Sequence, residues 1–351
     1  MNRKAEKTEV EHNTVVEVGD VAFGRDRFPV IAGPCAIESG DQIMELAKVV
    51  RDAGANVLRG GVSIRQHSPY DFPGLGLDAV SLLVEAGRSV GLPVVTQVHE
   101  PKDVEALAGQ VDMLEIASGN MQNFELLRVV GAAHQPVLLK RAPSATIDEW
   151  LWAAEYVLAE GNDQVVLCER GIRTFATEPT LDLSSVPVMK EQTHLPVIVL
   201  PSHAAGTRHR VAPLALAAQG VGADGLAIEV HADPDKALVN SQQLLSIAAF
   251  RDLMISLGVN LMRSDVDEID YSIVELLGQR QRLAVEIGRI KLEKGLPLRA
   301  PDREAELLDD VRKAALEHKL DSAIVAQIFE LVLEGSRAAQ RADLEAPQSA
   351  E

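Results

Sequence analysis

What constrains this chain most is a rhythm in its first 256 residues. Eight short, β-rich apolar runs follow one another: PVIAGPC (29–35), NVLRGG (56–61), PVVTQV (93–98), MLEIAS (113–118), PVLLKR (136–141), VVLCER (165–170), PVIVLP (196–201) and GLAIEV (225–230). Most are separated by helix-like segments such as DQIMELAKVVRDAGA and IDEWLWAAEYVLAEG, often closed by Gly or Asn. A strand that is apolar at nearly every position is covered on both faces, which points to a parallel sheet under helices. Eight such units in roughly 230 residues fit an α/β (β/α)8 TIM barrel, whose usual size is about 250. A doubly wound open sheet is the competing arrangement. It seldom needs eight units and carries a glycine fingerprint after its first strand, where this chain has GPCAIESG.

Beyond residue 262 the strands stop. The segment MRSDVDEIDYSIVELLGQRQRLAVEIGRIKLEKG is one amphipathic pattern, with Val266, Ile269, Ile273, Leu276, Leu277, Leu283, Ile287 and Ile290 spaced for a single helix face. Pro297 and Pro301 break it, a second helix begins near Asp302, and Leu320-Asp321 divides that helix from a third ending near Gln340. A helix of about 30 residues beside two shorter ones leaves an apolar stripe that one copy cannot cover, so a helical homodimer is expected, with a higher oligomer open. The expected organisation is an N-terminal tail and lead-in over 1–27, a barrel over 28–256 and a linker over 257–262. An all-α three-helix domain over 263–343 and a tail over 344–351 follow, and residues 1–13 read as disordered.

A formal net charge of −18 argues against nucleic acid or an anionic membrane as a partner. No apolar run approaches the ~18 residues of a membrane span. The opening MNRKAEKTEVEHNT lacks a signal-peptide core. Two cysteines, Cys35 and Cys168, make no disulfide framework. The expected location is the cytoplasm and the expected partners are small anions, for which local cationic clusters must overcome the overall field.

Such clusters stand at the strand ends, where the chemistry of a barrel of this kind gathers. Read in order, those ends supply Cys35, Arg59, Asn120, Lys140 with Arg141, Arg170 with Arg173, His203 and Glu229. A thiol, an imidazole and a carboxylate converging on one mouth make a divalent-metal site, and the five cations face anionic substrate groups. A strand-end cysteine by itself is more often core filler. The coincidence of seven polar ends is what carries the functional reading.

The motifs VIAGPCAIES, LRGG…SPYDFPGLG, GNMQNFELL, PVLLKR, LCERGIRT and THLPVIVLPSHAAG resemble the short single-barrel class of DAHP synthases, relatives of the KDO-8-phosphate synthases, over about residues 28–250. The resemblance implies condensation of phosphoenolpyruvate with erythrose 4-phosphate at a divalent, manganese-like metal. It implies Cys35, His203 and Glu229 as metal ligands and Arg59, Lys140 and Arg170 around phosphoenolpyruvate. Asn240 stands where a fourth, aspartate ligand is usual and is a weaker oxygen donor. Ile64, Arg65, Gln66 and His67 stand where the family has Lys-Pro-Arg-Thr, Gly119 where it has a phosphate-binding arginine, and Leu200 where it has an aspartate. From these departures come two expectations. The metal is bound weakly, and the condensation is impaired, with the barrel acting as a regulatory or scaffold module or taking a different acceptor.

In the last third, the pattern R…DxxDxxIxxLLxxRxxLAxxIGxxK, then PxREAELL, then IFxLxxxxSRxxQ resembles the all-helical class of chorismate mutases over 262–343. The resemblance implies conversion of chorismate to prephenate, with no cofactor, by Arg263, Arg280, Lys291, Arg303, Glu304, Ser336 and Gln340; Ala300 departs from an aspartate found in some members. The chemistry of the residues agrees. Rearranging a dicarboxylate asks only that a compact conformer be held and that charge on the breaking ether oxygen be stabilised. Arg280 and Arg263 suit the carboxylates, Lys291 and Gln340 the ether oxygen, and Glu304 the ring hydroxyl. Arg280 and Lys291 lie three helical turns apart and share a face. The plainer alternative is a solvated charged face on a dimerisation helix. Both resemblances fall in aromatic amino acid biosynthesis, the shikimate pathway.

Overall fold

The computed structural model describes residues 3–9, 13–25, 27–64, 68, 70–176, 179–258 and 261–345, the side chains at 261–272 and 344–345 excepted. It divides into two compact units, residues 1–261 and 262–351.

In the first unit a short hairpin, β1 (Val16–Val18) and β2 (Val21–Phe23), precedes the eight expected strands. These are β3 (Val30–Gly33), β4 (Val57–Arg59), β5 (Val94–Val98), β6 (Met113–Ile116), β7 (Val137–Lys140), β8 (Val165–Glu169), β9 (Val197–Val199) and β10 (Leu226–Glu229). They pair in parallel and in sequence order, and β10 closes on β3 with Leu226 opposite Val30 and Glu229 opposite Gly33. The barrel is wrapped by α1 (Gly40–Asp52), α2 (Ala79–Val90), α3 (Pro101–Leu107), α4 (Phe124–Ala132), α5 (Ile147–Ala159), α6 (Ser185–Gln192), α7 (Ser202–Ala205), α8 (Val211–Gly220) and α9 (Ile247–Leu257). Local chemistry sets their ends. Thr146 and Glu149 form a reciprocal capping box at the start of α5, and Gly258 ends α9 in the left-handed conformation.

Side chains alternate across each strand, and that alternation sorts the barrel into layers. Val30, Leu58, Val94, Leu114, Val137, Val165, Val197 and Leu226 face outward into the core shared with the helices. Ile31, Val57, Val95, Met113, Leu138, Val166, Ile198 and Ala227, one from each strand, form a layer inside. Val16, Val18 and Phe23 of the hairpin are buried with that inner layer and plug the barrel.

The reading of residues 1–13 as disordered is corrected for those described. Ala5 is fully buried. Its N–H donates to Glu155 of α5 at 3.1 Å, and its carbonyl accepts from Thr193 Oγ1 at 2.5 Å. His194 meets the Lys4 carbonyl with Nε2 at 2.7 Å and Thr14 Oγ1 with Nδ1 at 2.6 Å. The segment is held by backbone pairing that its charged composition does not announce.

The second unit holds α10 (Leu261–Glu293), α11 (Pro301–Glu317) and α12 (Ser322–Glu345). The linker is shorter than expected, because helix resumes three residues after Gly258, and the last helix runs beyond Gln340 to Glu345. Ile273, Leu276, Leu277, Leu283, Ile287 and Ile290 of α10 are exposed within one chain, and so are Leu320, Ile324, Ile328 and Leu331. No described helix is long and apolar enough to cross a membrane.

Candidate active sites

Two residues further along each strand the inward-facing layer changes character. The same alternation that delivers Ile31, Val57, Val95, Met113, Leu138, Val166, Ile198 and Ala227 next delivers Gly33, Arg59, Gln97, Glu115, Lys140, Cys168, Leu200 and Glu229. The mouth is therefore a continuation of the core in polar residues. Gly33 is needed there, because a Cβ would fall 1.9 Å from the Arg59 carbonyl.

Glu115 organises the buried charges. Its carboxylate accepts from Arg59 Nε at 3.2 Å and Nη2 at 3.1 Å, and from Lys140 Nζ at 2.6 Å. The other end of Arg59 donates to the carbonyls of Pro34 and Cys35 and to Glu229 Oε1, at 3.1, 3.2 and 3.2 Å. Burial alone would raise the pKa of Glu115, and the charges of Arg59 and Lys140 overcome it and hold the carboxyl well below the usual range. Sequence reasoning missed Glu115. The signal was present as a carboxylate inside the apolar run MLEI, where an acid is fully buried only if paired.

Beside this cluster the ligand atoms of Cys35, His203 and Glu229 lie within 4.8 Å of one another. His203 Nε2 is 2.8 Å from Glu229 Oε1. Asn240 donates from Nδ2 to Cys35 Sγ at 3.2 Å. Glu229 Oε2 and His203 Nδ1 are buried with no hydrogen-bond partner. Burial first, and then Glu229, push the Cys35 thiol up to about 12, against Arg59 and Lys140. Burial also lowers the pKa of His203, with Arg170 and Lys140 adding to it against the pull of Glu229. Glu229 is brought down to about 2, because His203, Arg59 and Lys140 together outweigh its burial. A neutral imidazole, an anionic carboxylate with an unused oxygen and a thiol that a bound cation would deprotonate fit a divalent ion. Leu200 is buried and offers His203 no acceptor.

Of the five barrel cations named from sequence, three belong to this mouth. Arg59 and Lys140 are buried in it, and Arg170 is largely enclosed, with no hydrogen-bond partner at Nε. Its pKa is lowered chiefly by burial, although Glu229 pulls the other way. Arg141 follows Lys140 on the strand and so faces outward. It is engaged by the Ala145 carbonyl at 3.0 Å, Glu169 at 3.0 Å and Asp182 at 2.9 Å, and lies over the Trp150 ring. There it buttresses β7, β8 and α5. Arg173 is exposed. Gly119 is exposed with open space where a Cβ would project, Ile64 packs with Cys35 and Phe72, and Arg65, Gln66 and His67 lie outside the described residues.

In the helical unit Arg280 and Ser336 are brought together, Nη1 to Oγ, at 2.6 Å. Gln340 Nε2 reaches the Ala284 carbonyl at 2.6 Å and packs on Gly288, where any Cβ would crowd it. Lys291 Nζ donates to the Leu298 carbonyl at 3.0 Å. Glu304 pairs with Arg337 at 3.0 Å, a residue sequence reasoning passed over although it stands inside the SRxxQ motif. Arg303 instead points outward to Glu306. The side chain of Arg263 lies outside the described residues.

Residues 6–261 match the DAHP synthetase I family, and residues 262–341 match chorismate mutase type II. A phospho-2-dehydro-3-deoxyheptonate aldolase of Thermotoga maritima is 44% identical over 244 residues, 69% of this chain and 72% of its own length. A 2-dehydro-3-deoxyphosphooctonate aldolase of Syntrophobacter fumaroxidans is 30% identical over 256 residues, covering 68% of this chain and 88% of that protein. The crystal structure of a phospho-2-dehydro-3-deoxyheptonate aldolase (DAHP synthase) from Thermotoga maritima overlays with a TM-score of 0.70 at 41% identity, over 73% of this chain and 75% of that one. Fold and matches together define a two-part enzyme of aromatic biosynthesis, a barrel synthase followed by a helical mutase. The chain belongs to the DAHP synthetase I family and carries a type II chorismate mutase domain behind the barrel. The expectation that its departures impair the condensation is thereby corrected, and DAHP synthase activity is supported. The matches favour this activity over the scaffold and different-acceptor readings. The buried charges of Arg59, Lys140 and Glu229 arise from the strands themselves and are in place, while Ile64 and Gly119 stand beyond the strand ends.

Proposed function

We propose that the barrel condenses phosphoenolpyruvate with erythrose 4-phosphate around Arg59, Lys140, Arg170 and the Cys35–His203–Glu229 cluster. The observation that carries this reading is Arg170. A largely enclosed guanidinium left unpaired at Nε is costly on its own, and an anionic substrate supplies its missing partner. Arg59 and Lys140, both fixed by Glu115, add charge to the same mouth. In the reaction C3 of the enolpyruvate forms a bond to the aldehyde carbon, water supplies the oxygen at C2, and inorganic phosphate departs. When bound, a divalent ion supplies a Lewis acid for the aldehyde oxygen. Binding of that ion is weak in this reading, because Asn240 is neutral and His203 Nδ1 lacks the supporting acceptor that metal-bound imidazoles usually have. The test is phosphoenolpyruvate consumption with erythrose 4-phosphate and added manganese; no consumption would sink it.

The helical unit, in the same reading, rearranges chorismate to prephenate without metal. Arg280, with Ser336 at its guanidinium, suits one carboxylate, with Arg263 for the other. Lys291 and Gln340 suit the ether oxygen, Glu304 the ring hydroxyl, and Arg303 lies at the edge of the set. The exposed apolar face of α10 supports a homodimer. The free thiol that the metal cluster needs supports a location in the reducing cytoplasm. Loss of chorismate absorbance is the assay, and full turnover in a Lys291→Ala, Gln340→Ala double variant would refute the assignment of those residues.

A further inference from the structure

We propose that Glu38 is a positioning residue for the barrel's metal cluster, fixing the segment after β10 so that Asn240 is held on the thiol of Cys35. The inference rests on the metal reading above. Glu38 lies in the turn between β3 and α1, three residues after Cys35. Its Oε1 accepts the backbone N–H of Leu238 at 2.8 Å, and its Oε2 lies 3.5 Å from Nε2 of His231. Its own N–H is anchored to Gln42 Oε1 at 2.9 Å. His231 is fixed in turn, donating its N–H to the Leu245 carbonyl at 3.0 Å and accepting the Asp233 N–H on Nδ1 at 3.1 Å. The carboxylate thus holds the segment 231–238 by its Leu238 end, while Oε2 stands opposite His231 Nε2 without a hydrogen bond. The carboxylate is partly exposed, so its hold on the segment rests on the bond to the Leu238 N–H.

Two residues after Leu238 the backbone of Asn240 turns through φ +54°, in the left-handed region that asparagine tolerates, and its amide meets Cys35 Sγ. A competing explanation is that the segment is seated by packing alone. Ala237, Val239 and Leu244 do cluster with Cys35, Ala36, Ile64 and Phe72, and Arg208 holds the outer side through Asp235 and the Ser241 carbonyl. Apolar contact keeps the segment on the wall without choosing a direction for the amide. The bond from Leu238 fixes the register entering Asn240, and the Gln243 N–H to Asn240 carbonyl and Arg208 to Ser241 carbonyl bonds fix it leaving.

The test uses the full chain with Glu38→Ala, Glu38→Asp and Glu38→Gln. Three quantities are read: manganese affinity, the rate at which Cys35 is alkylated by iodoacetamide with Cys168 as internal reference, and thermal unfolding. The alanine variant, and the aspartate variant whose shorter reach breaks the bond to Leu238, should bind manganese about 10–100-fold more weakly. Both should alkylate faster at Cys35, with unfolding temperatures near that of the parent. Glutamine keeps an oxygen for the Leu238 N–H and should restore both readouts. Unchanged affinity and alkylation in the alanine variant would overturn the proposal. So would changes that only follow a fall in stability, or a glutamine variant as impaired as alanine. Should the alanine variant not fold, aspartate against glutamine carries the same comparison. If the parent binds no manganese, the metal reading fails by itself; alkylation then decides, with acceleration reversed by glutamine in favour and no acceleration against.

Discussion

At the scale of single residues, the mouth of the barrel is a charge-balancing problem. Glu115 neutralises two buried cations, and removing it leaves Arg59 and Lys140 without their shared partner. Glu115→Ala should therefore destabilise the protein by about 3–5 kcal/mol, read from denaturant unfolding. The pH dependence follows from the same groups. Glu115 and Glu229 have folded pKa values below the ordinary glutamate value of 4.5, Glu229 at about 2, because neighbouring cations and His203 outweigh burial. Depressed acids stabilise fully above their unfolded pKa and lose that contribution as pH falls through the folded one. The melting temperature should thus hold down to about pH 4.5 and fall steadily towards pH 2; a flat profile across that window would count against the paired arrangement. Asn240→Asp adds a charged oxygen beside Cys35 and should tighten manganese by about 10-fold or more in a direct titration.

At the scale of elements, α10 shows how little a helix is settled by its own sequence. Its spacing predicts one apolar face, and within a single chain Leu283 and Ile287 on that face are more than half exposed. Such a face is stable in water when another surface covers it. Leu283→Asp should remove about 1.5–3 kcal/mol of apolar burial per copy from a homodimer and add a charge to its interface. The expected result is a shift towards monomer in sedimentation, with loss of helicity from the second unit. Unchanged mass and circular dichroism would place Leu283 outside any interface. The N-terminal segment makes the opposite point. Residues 3–8 have a charged, loop-like composition, yet Ala5 is buried because Glu155 and Thr193 satisfy its backbone. Composition describes what a segment's side chains prefer and is silent about edge groups that neighbouring elements leave open.

At the scale of the whole molecule, two units carry chemistries with different requirements, and a chelator should separate them. Removing metal should abolish phosphoenolpyruvate consumption and leave chorismate loss unchanged; equal loss of both would contradict a metal-free mutase. Sequence by itself determined the eight strands, their parallel order, the three helices and the inward thiol, imidazole and carboxylate. All of these follow from periodicity and strand ends, which are local properties of the chain. It also contained, unread, the fact that Lys140 and Arg141 cannot both face inward, since neighbours on a strand point to opposite sides. What tertiary structure alone decided is which charge meets which. Glu115 joins cations from β4 and β7, Glu304 meets Arg337, and Asn240 reaches Cys35 from the far end of the barrel sequence. Spacing encodes the face a side chain occupies, whereas its partner depends on how closure of the barrel and packing of the helices bring distant segments within hydrogen-bond reach.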